Sequence, residues 1–449
     1  MTTPDPARLS DALLAAARKA GAEAADVLVT EGTSISIDVR AGTLEQAERA
    51  EGTDLGLRVF VGRRQACVSA SDTSDRTIEE MAERAVAMAR EAPEDPHAGL
   101  ADPDQLAREI DVARLELEDP TPEPDPAALE DAARRAEAAA LSVPGVTQVQ
   151  SASAGYGRRR LHLATSHGFS AGYTRTSHYL NAVAIAGEGL GMERDWDGDG
   201  RSWAADLRDA DEIGRTAGER AAARLGATKP PTGAYPVLFD ERIAASLVGH
   251  LMSAINGTAI ARGASWARDL MGKQVLPAGL SLTEDPHRPR QSGSRPFDGE
   301  GLPTARRDFV RDGVLQSWVL DLATARKLGL QSTANASRGT GAPPSPSVGN
   351  LALTQGDQSR DELIAEMGTG LLVTSMIGST INPNTGDYSR GASGFWIENG
   401  QIAHPVNECT IAGNLRDMLL RLTPANDARP WLSRVVPSLR VEGMTIAGT

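Results

Sequence analysis

Apolar residues recur at three- and four-residue spacing over Ala7–Ala20, where Leu9, Leu13, Leu14 and Ala17 form one stripe that stops at Gly21. This predicts an opening amphipathic helix. VLVTEG, SISIDVRAG and LGLRVFVGRRQACVSAS then alternate or run β-branched between glycine and polar turns, the pattern of an antiparallel meander. A second helix is expected over about Thr77–Glu91, with Ile78, Met81, Ala82, Ala85, Met88 and Ala89 on one side and Ser74 or Asp75 as its cap. EAPEDPHAGLADPDQ and DPTPEPDP (119–126) hold too much proline and acid for regular structure, and place a boundary. Beyond it the order repeats: an Ala-rich helix at Ala127–Leu141, strands in VTQVQSASAGYG, RRLHLATSHG, FSAGYTRTSHYLNAVAIAG and onward to Trp196, then an acidic helix over about Asp209–Leu225.

GATKPPTGAYP marks a second boundary, and from Tyr235 the pattern changes to short strands and turns. Helices are expected near Glu241–Ile255, Leu322–Leu328 and Arg360–Met367. Two hairpins centre on Asp312-Gly313 and Asn399-Gly400, dipeptides that tolerate the two positive φ angles of a type I′ turn. The fold class is therefore α+β: two N-terminal α/β-meander units with flanking helices, residues 1–118 and 119–228, and a turn-rich, mainly β domain over 229–449.

Composition narrows the function classes. The 449 residues are 40% hydrophobic and 24% charged, as in globular proteins, and the net charge of −14 opposes direct binding to nucleic acid or anionic lipid. That charge is uneven, with 25 basic and 40 acidic side chains in residues 1–228 against 21 and 20 in the remainder. Two distant cysteines, Cys67 and Cys409, fit a reducing cytoplasm better than a disulfide framework. The start, MTTPDPARLS, is unlike a secretory leader, and no apolar run is long enough for a membrane-spanning helix.

None of the seven histidines is followed by Glu, so the HExxH type of zinc site is not expected, and His162 and His167 would face opposite sides of a strand. DWDGDGRSWAAD sets Asp195, Asp197, Asp199, Gly200 and Asp206 at calcium-loop spacing, but strand-like sequence precedes it, which favours a solvated acidic loop over a cation site. Cys409, five residues from His404, is a nucleophile only if a base lies beside it, and otherwise a small buried hydrophobe. Ile381–Leu415 gathers Asn382, Asn384, Asp387, Tyr388, Arg390 and Ser393 among glycines just before a hairpin. Those donors and the close approach glycine allows suit an extended peptide, or equally a loop that braces its own domain.

Together with SWVLDLATARKLGLQSTANASRG (317–339) and the closing LRVEGMTIAGT, this passage resembles the TldD/PmbA family, specifically its PmbA branch, also called TldE. The resemblance covers nearly the whole chain. It implies a set of bacterial and archaeal proteins, formerly called modulators of DNA gyrase, in which TldD and a PmbA-type relative form a heteromeric zinc peptidase acting on unfolded peptides. The TldD branch carries His-Glu-x-x-x-His on a helix that matches ERIAASLVGHLMSAINGTAI, with a later cysteine completing the site. With His250 as the first histidine, Leu251 replaces the glutamate and Ile255 the second histidine; two positions earlier the residues are Val248, Gly249 and Ser253. NDARPWLSRVVPSLRVEG has no cysteine.

The resemblance thus implies a subunit without its own catalytic or metal residues, with His250 at a degenerate metal position and zinc on a TldD-like partner. Its share would be chamber walls and peptide binding, with a homodimer possible when the partner is lacking. The alternatives are a stand-alone hydrolase with an unrecognised site such as Cys409 with His404, and a non-proteolytic regulator acting on gyrase or an antitoxin.

Overall fold

The computed structural model describes residues 5–449; residues 1–4, the start of the stretch read as lacking a leader, lie outside it. Helix α1 (Pro6–Ala20) begins on a proline, whose missing N–H costs nothing there, and ends at Gly21 with φ 103°. Helix α2 (Asp75–Glu91) is capped by Ser74, which accepts from the Thr77 amide. Met88, expected on its buried stripe, is instead 47% exposed, and Val86 takes the inner position.

Strands β1 (Ala24–Arg40), β2 (Thr43–Val61), β3 (Arg64–Ala70), β4 (Val146–Thr165), β5 (Ser170–Ala186) and β6 (Glu193–Arg201) form one antiparallel sheet in the order β3-β2-β1-β4-β5-β6. Both N-terminal units therefore contribute to a single sheet. VLVTEG and SISIDVRAG, expected as separate strands, are one strand because β2 and β4 pair straight through Gly32 from either side. The two segments read from 146 to 168 merge in the same way into β4, which ends at Thr165. Gly155 has a packing reason there: a Cβ would lie 2.3 Å from the Tyr179 ring, whose hydroxyl bonds Ser36 Oγ at 2.8 Å.

On one face of this sheet α1 and α2 cover one end, packing Leu13, Met81 and Ala85 on Val27, Leu57 and Val59. Helices α3 (Pro126–Leu141) and α4 (Ala210–Ala222) cover the other end, against Ile37, Ala152 and Ala182. The opposite face, carrying Asp26, Leu28 and Thr30, turns toward the C-terminal domain. The proline-rich stretch is docked, not free: Asp119 is 4% exposed and accepts from the Thr121 and Ala204 amides. Farther upstream, Arg326 donates to the Gly99 and Leu100 carbonyls.

In the C-terminal domain β7 (Gly233–Phe239) leads into α5 (Glu241–Ala254). β7 pairs with Gly370–Ile381 and Leu439–Ala447; Gly370–Ile381 pairs with Asp387–Glu398, which pairs with Gln401–Asn414. Gln401–Asn414 then returns to Leu439–Ala447, so the pairing closes on itself. Phe239, Leu247, Leu251, Trp396 and Ile411 share its core. A smaller five-stranded sheet of short strands lies beside it. Both expected hairpin turns are present, with φ 48° and 77° at Asp312-Gly313 and 51° and 73° at Asn399-Gly400. Helices at Leu322–Leu328 and Arg360–Met367 complete the expected set.

Candidate functional site

Helix α5 is the element on which the metal reading turns. Asp240 caps it by accepting from the Arg242 amide, and its apolar stripe of Ala244, Leu247, Val248, Leu251 and Met252 sinks into the domain core. His250 is left half-buried beside Tyr388, ring centroids 5.8 Å apart in an edge-to-face arrangement. Burial first, and Arg390 second, hold its pKa below 6.5, so the ring is neutral at neutral pH; its Nε2 is buried and has no hydrogen-bond partner among the described residues. Tyr388 is 2% exposed, donates to Met376 Sδ at 3.3 Å, and is pushed by burial to about 12. Arg390, two residues along the same strand, donates through Nε to the Gly378 carbonyl at 2.7 Å.

The residue set does not fit a zinc ion. Leu251 and Ile255 are 1% and 0% exposed among aliphatic neighbours. In the alternative register Val248 belongs to the same core, and Ser253 donates its hydroxyl to the Gly249 carbonyl at 2.9 Å. Among the described residues no three His, Cys, Asp or Glu side chains come together in a metal-holding group. One imidazole offers neither the ligand number nor the general base that metal-assisted hydrolysis requires.

The candidate peptide-binding residues divide. Tyr388 packs on His250, and Arg390 acts on that ring through its charge. Asn382 accepts through Oδ1 from the Asn384 amide at 2.9 Å, and Asp387 accepts from Thr385 Oγ1 at 2.6 Å and Asn414 Nδ2 at 3.1 Å. Those two bonds hold the Asp387 carboxyl below the usual range. The Trp266 amide donates to the Pro383 carbonyl at 2.7 Å. The loop thus spends much of its bonding capacity on itself, while Asn384 stays exposed. Ser393 is elsewhere: it lies on the other side of its strand and accepts from Arg224 Nη2 at 2.7 Å, tying α4's end to the C-terminal sheet.

The acidic run is neither calcium loop nor solvated loop. Asp195 and Asp197 lie on β6, 6% and 2% exposed, and pair with arginines: Arg242 and Arg224 on Asp195, Arg208 and Arg220 on Asp197. Asp199 pairs with Arg201 at 2.9 Å, and Asp206 sits off the strand with Arg290. Cys409 is 4% exposed, gives its thiol hydrogen to the Ala392 carbonyl at 3.2 Å, and is pushed by burial to about 11. His404, five residues before Cys409 on the same strand and paired with Trp396 of the neighbouring one, is roughly 16 Å away along the strand, so it is no base for that thiol.

One charged centre was not legible in the sequence. Asp26 of β1 accepts from both Arg58 of β2 and Arg338 of the C-terminal domain, and all three side chains are 5% exposed or less. Near them lie Asp298 and Glu300, 2% and 4% exposed, whose carboxyls burial pushes upward. Nothing in local spacing joins residues about 300 positions apart; the only signal was an arginine within the quoted STANASRG stretch.

Comparison with known proteins supplies the lineage. Profiles of the PmbA/TldA metallopeptidase domain 1, central domain and C-terminal domain match residues 25–89, 119–225 and 232–448. The metalloprotease PmbA of Escherichia coli O157:H7 is 37% identical over 429 residues, covering 95% of this chain and 92% of that protein. The chain belongs to the PmbA/TldD family. Another family member, the metalloprotease PmbA homolog of Haemophilus influenzae, is 34% identical over 96% of this chain and 94% of its own. Among solved structures, a candidate modulator of DNA gyrase from Bacteroides thetaiotaomicron superposes with a TM-score of 0.91 at 28% identity, each chain fully covered. TldE from Thermococcus kodakarensis, at 20% identity, shares the fold with a TM-score of 0.86 over 98% of this chain and all of its own.

Proposed function

We propose that this PmbA/TldD member is the non-catalytic, PmbA/TldE-type subunit of a heteromeric zinc metallopeptidase that degrades or processes unfolded peptides. The TldD-like partner supplies zinc and cleavage; this chain supplies chamber walls and peptide contacts, for which Tyr388, Arg390 and the exposed Asn384 are the best placed of the candidate residues. The observation that carries the reading is the filling of α5: where a water-activating glutamate and a second histidine are needed, Leu251 and Ile255 pack in the hydrophobic core. The family names point to metalloprotease chemistry, and the donor set on this chain cannot perform it alone.

Co-purification from the source organism with zinc analysis tests the reading. One zinc per pair and none on this chain alone is expected, and the purified chain leaves an unstructured peptide intact by mass spectrometry. Robust peptide turnover by the isolated chain overturns it in favour of a stand-alone hydrolase. An unchanged partner activity on adding this chain favours the non-proteolytic regulator suggested by the gyrase-modulator name of the Bacteroides structure.

A further inference from the structure

Beside the Asp26 cluster, β2 and β3 and parts of residues 95–99, 258–262, 321–327 and 343–344 enclose a cavity of about 380 Å³. That volume falls within the range of small-molecule sites. Arg58, Glu300 and Asp321 line it, each 4% exposed or less.

All three spend only part of their bonding capacity on the protein. Arg58 grips Asp26 through Nε and Nη2, and Glu300 accepts from the Leu322 amide through Oε2 at 2.9 Å. Asp321 caps the helix Leu322–Leu328 through Oδ1, which accepts from the Thr324 amide at 2.8 Å and its hydroxyl at 2.6 Å. The remaining atoms, Arg58 Nη1, Glu300 Oε1 and Asp321 Oδ2, have no partner among the described residues, and all three keep accessible surface.

Charge accounting shows what is wanted there. Glu300 and Asp321 have no ion-pair partner among the described residues, since Arg58 and Arg338 both lie on Asp26 and Arg295 lies on Glu284. Asp298 beside them is a third buried carboxyl, held by the Glu300, Leu302 and Ala336 amides. Three such carboxyls outweigh the one positive charge that Arg58 and Arg338 carry beyond Asp26, an arrangement that is costly unless protons or a cation join it. Glu300 has the fewest hydrogen bonds of the three, and burial and Asp298 bias it toward its neutral form while the cavity is empty. The other charged groups on the wall do not cancel the acids: Arg262 and Lys327 are exposed to water, and Asp95 accepts from the His97 amide at 2.9 Å.

We infer that this cavity binds an α-amino group together with its neighbouring oxygen: Glu300 Oε1 and Asp321 Oδ2 accept from the ammonium, and Arg58 Nη1 donates to the adjoining carbonyl or carboxylate oxygen. The ammonium relieves the excess of acid, and the oxygen occupies a buried donor that a simple amine would leave unpaired. Two sources offer this pair of groups: a free α-amino acid, or the N-terminal residue of a peptide. The peptide source rests on the peptidase-subunit reading; the free amino acid does not.

Calorimetric titration of the full chain at pH 7, without partner or zinc, decides. The probes are alanine, trialanine, acetyl-trialanine, which lacks the ammonium, and propylamine, which lacks the oxygen. At least one of the first two is expected to bind, with both analogues at least tenfold weaker than it. Glu300→Gln keeps the side-chain shape and an acceptor for the Leu322 amide but cannot carry charge, and Asp321→Asn keeps the helix cap; each weakens binding at least tenfold. Binding of alanine assigns the free amino acid, and binding of trialanine alone assigns the peptide terminus. If either or both variants fail to fold, the comparison with the two analogues still decides. The assignment is overturned if neither alanine nor trialanine binds at millimolar concentration, if either analogue binds as tightly as the probe that does, or if a folded variant binds as the parent does. None of these results bears on the zinc count of the pair, so the subunit reading stands or falls separately.

Discussion

Asp26→Asn is the most informative single substitution, because it removes the carboxylate that pairs with two buried guanidinium groups, Arg58 and Arg338. Burial alone would raise the Asp26 pKa, but Arg338 and Arg58 together outweigh it and hold the carboxyl below 3.8. Deleting one partner of a buried ion pair costs about 3–5 kcal/mol, chiefly because the remaining charge stays desolvated. For 449 residues unfolding as one unit, an entropy near 2.1 cal/mol/K per residue gives about 0.9 kcal/mol per kelvin, so the midpoint should fall by about 3–5 °C. Arg338→Met is expected to be much milder, since it leaves Asp26 and Arg58 as a balanced pair. The acid limb has a definite sign. With the folded pKa depressed, the contribution is complete above the unfolded value near 3.8 and fades as pH falls through the folded one. Calorimetric scans of both variants from pH 3 to 7 check this: Asp26→Asn should lose less stability than the parent in the acid limb. If Arg338→Met proves the more damaging change, the charge argument is refuted.

Two further outcomes follow from packing. In the folded chain Cys409 should resist iodoacetamide at pH 8 while the more accessible Cys67 is modified first, both reacting in denaturant; peptide mapping reads this, and rapid labelling of folded Cys409 would revive the hydrolase reading. Gly214→Ala and Gly249→Ala should move stability in opposite directions under urea. At Gly214 a Cβ would lie 2.0 Å from the Ala136 carbonyl oxygen, forcing α3 and α4 apart at a cost of about 1–3 kcal/mol. At Gly249 it meets nothing within 4 Å, so helix propensity alone adds about 0.5–1 kcal/mol.

Local rules made the hairpins and helices legible. Asp312-Gly313 and Asn399-Gly400 adopt the backbone their side chains permit, and Glu241–Ala254 follows its apolar period. The long strands resisted because pairing on both sides overrode local glycine signals at Gly32 and Gly157. Thr43–Gly52 was invisible for another reason: it is mostly polar and exposed throughout, and only its ladder with β1 makes it a strand. At the candidate site, His250 and Tyr388 were named separately, and tertiary packing brought them together. Ser393 was grouped with its sequence neighbours, but strand alternation sends it to Arg224. The Asp26, Arg58 and Arg338 cluster draws on both parts of the chain, beyond the reach of any spacing rule.

The shared N-terminal sheet also constrains how the chain is born. β1 lies between β2 and β4, and its Asp26 pairs with Thr165, 139 positions later. At ribosomal rates of about 5–20 residues per second, that second neighbour emerges roughly 7–28 s after the first strand. Through that interval one rim of β1 presents open amides and carbonyls to any passing strand, the kind of template that seeds misassembly. A nascent chain stalled before Val146 therefore carries an adhesive border that the finished protein has sealed.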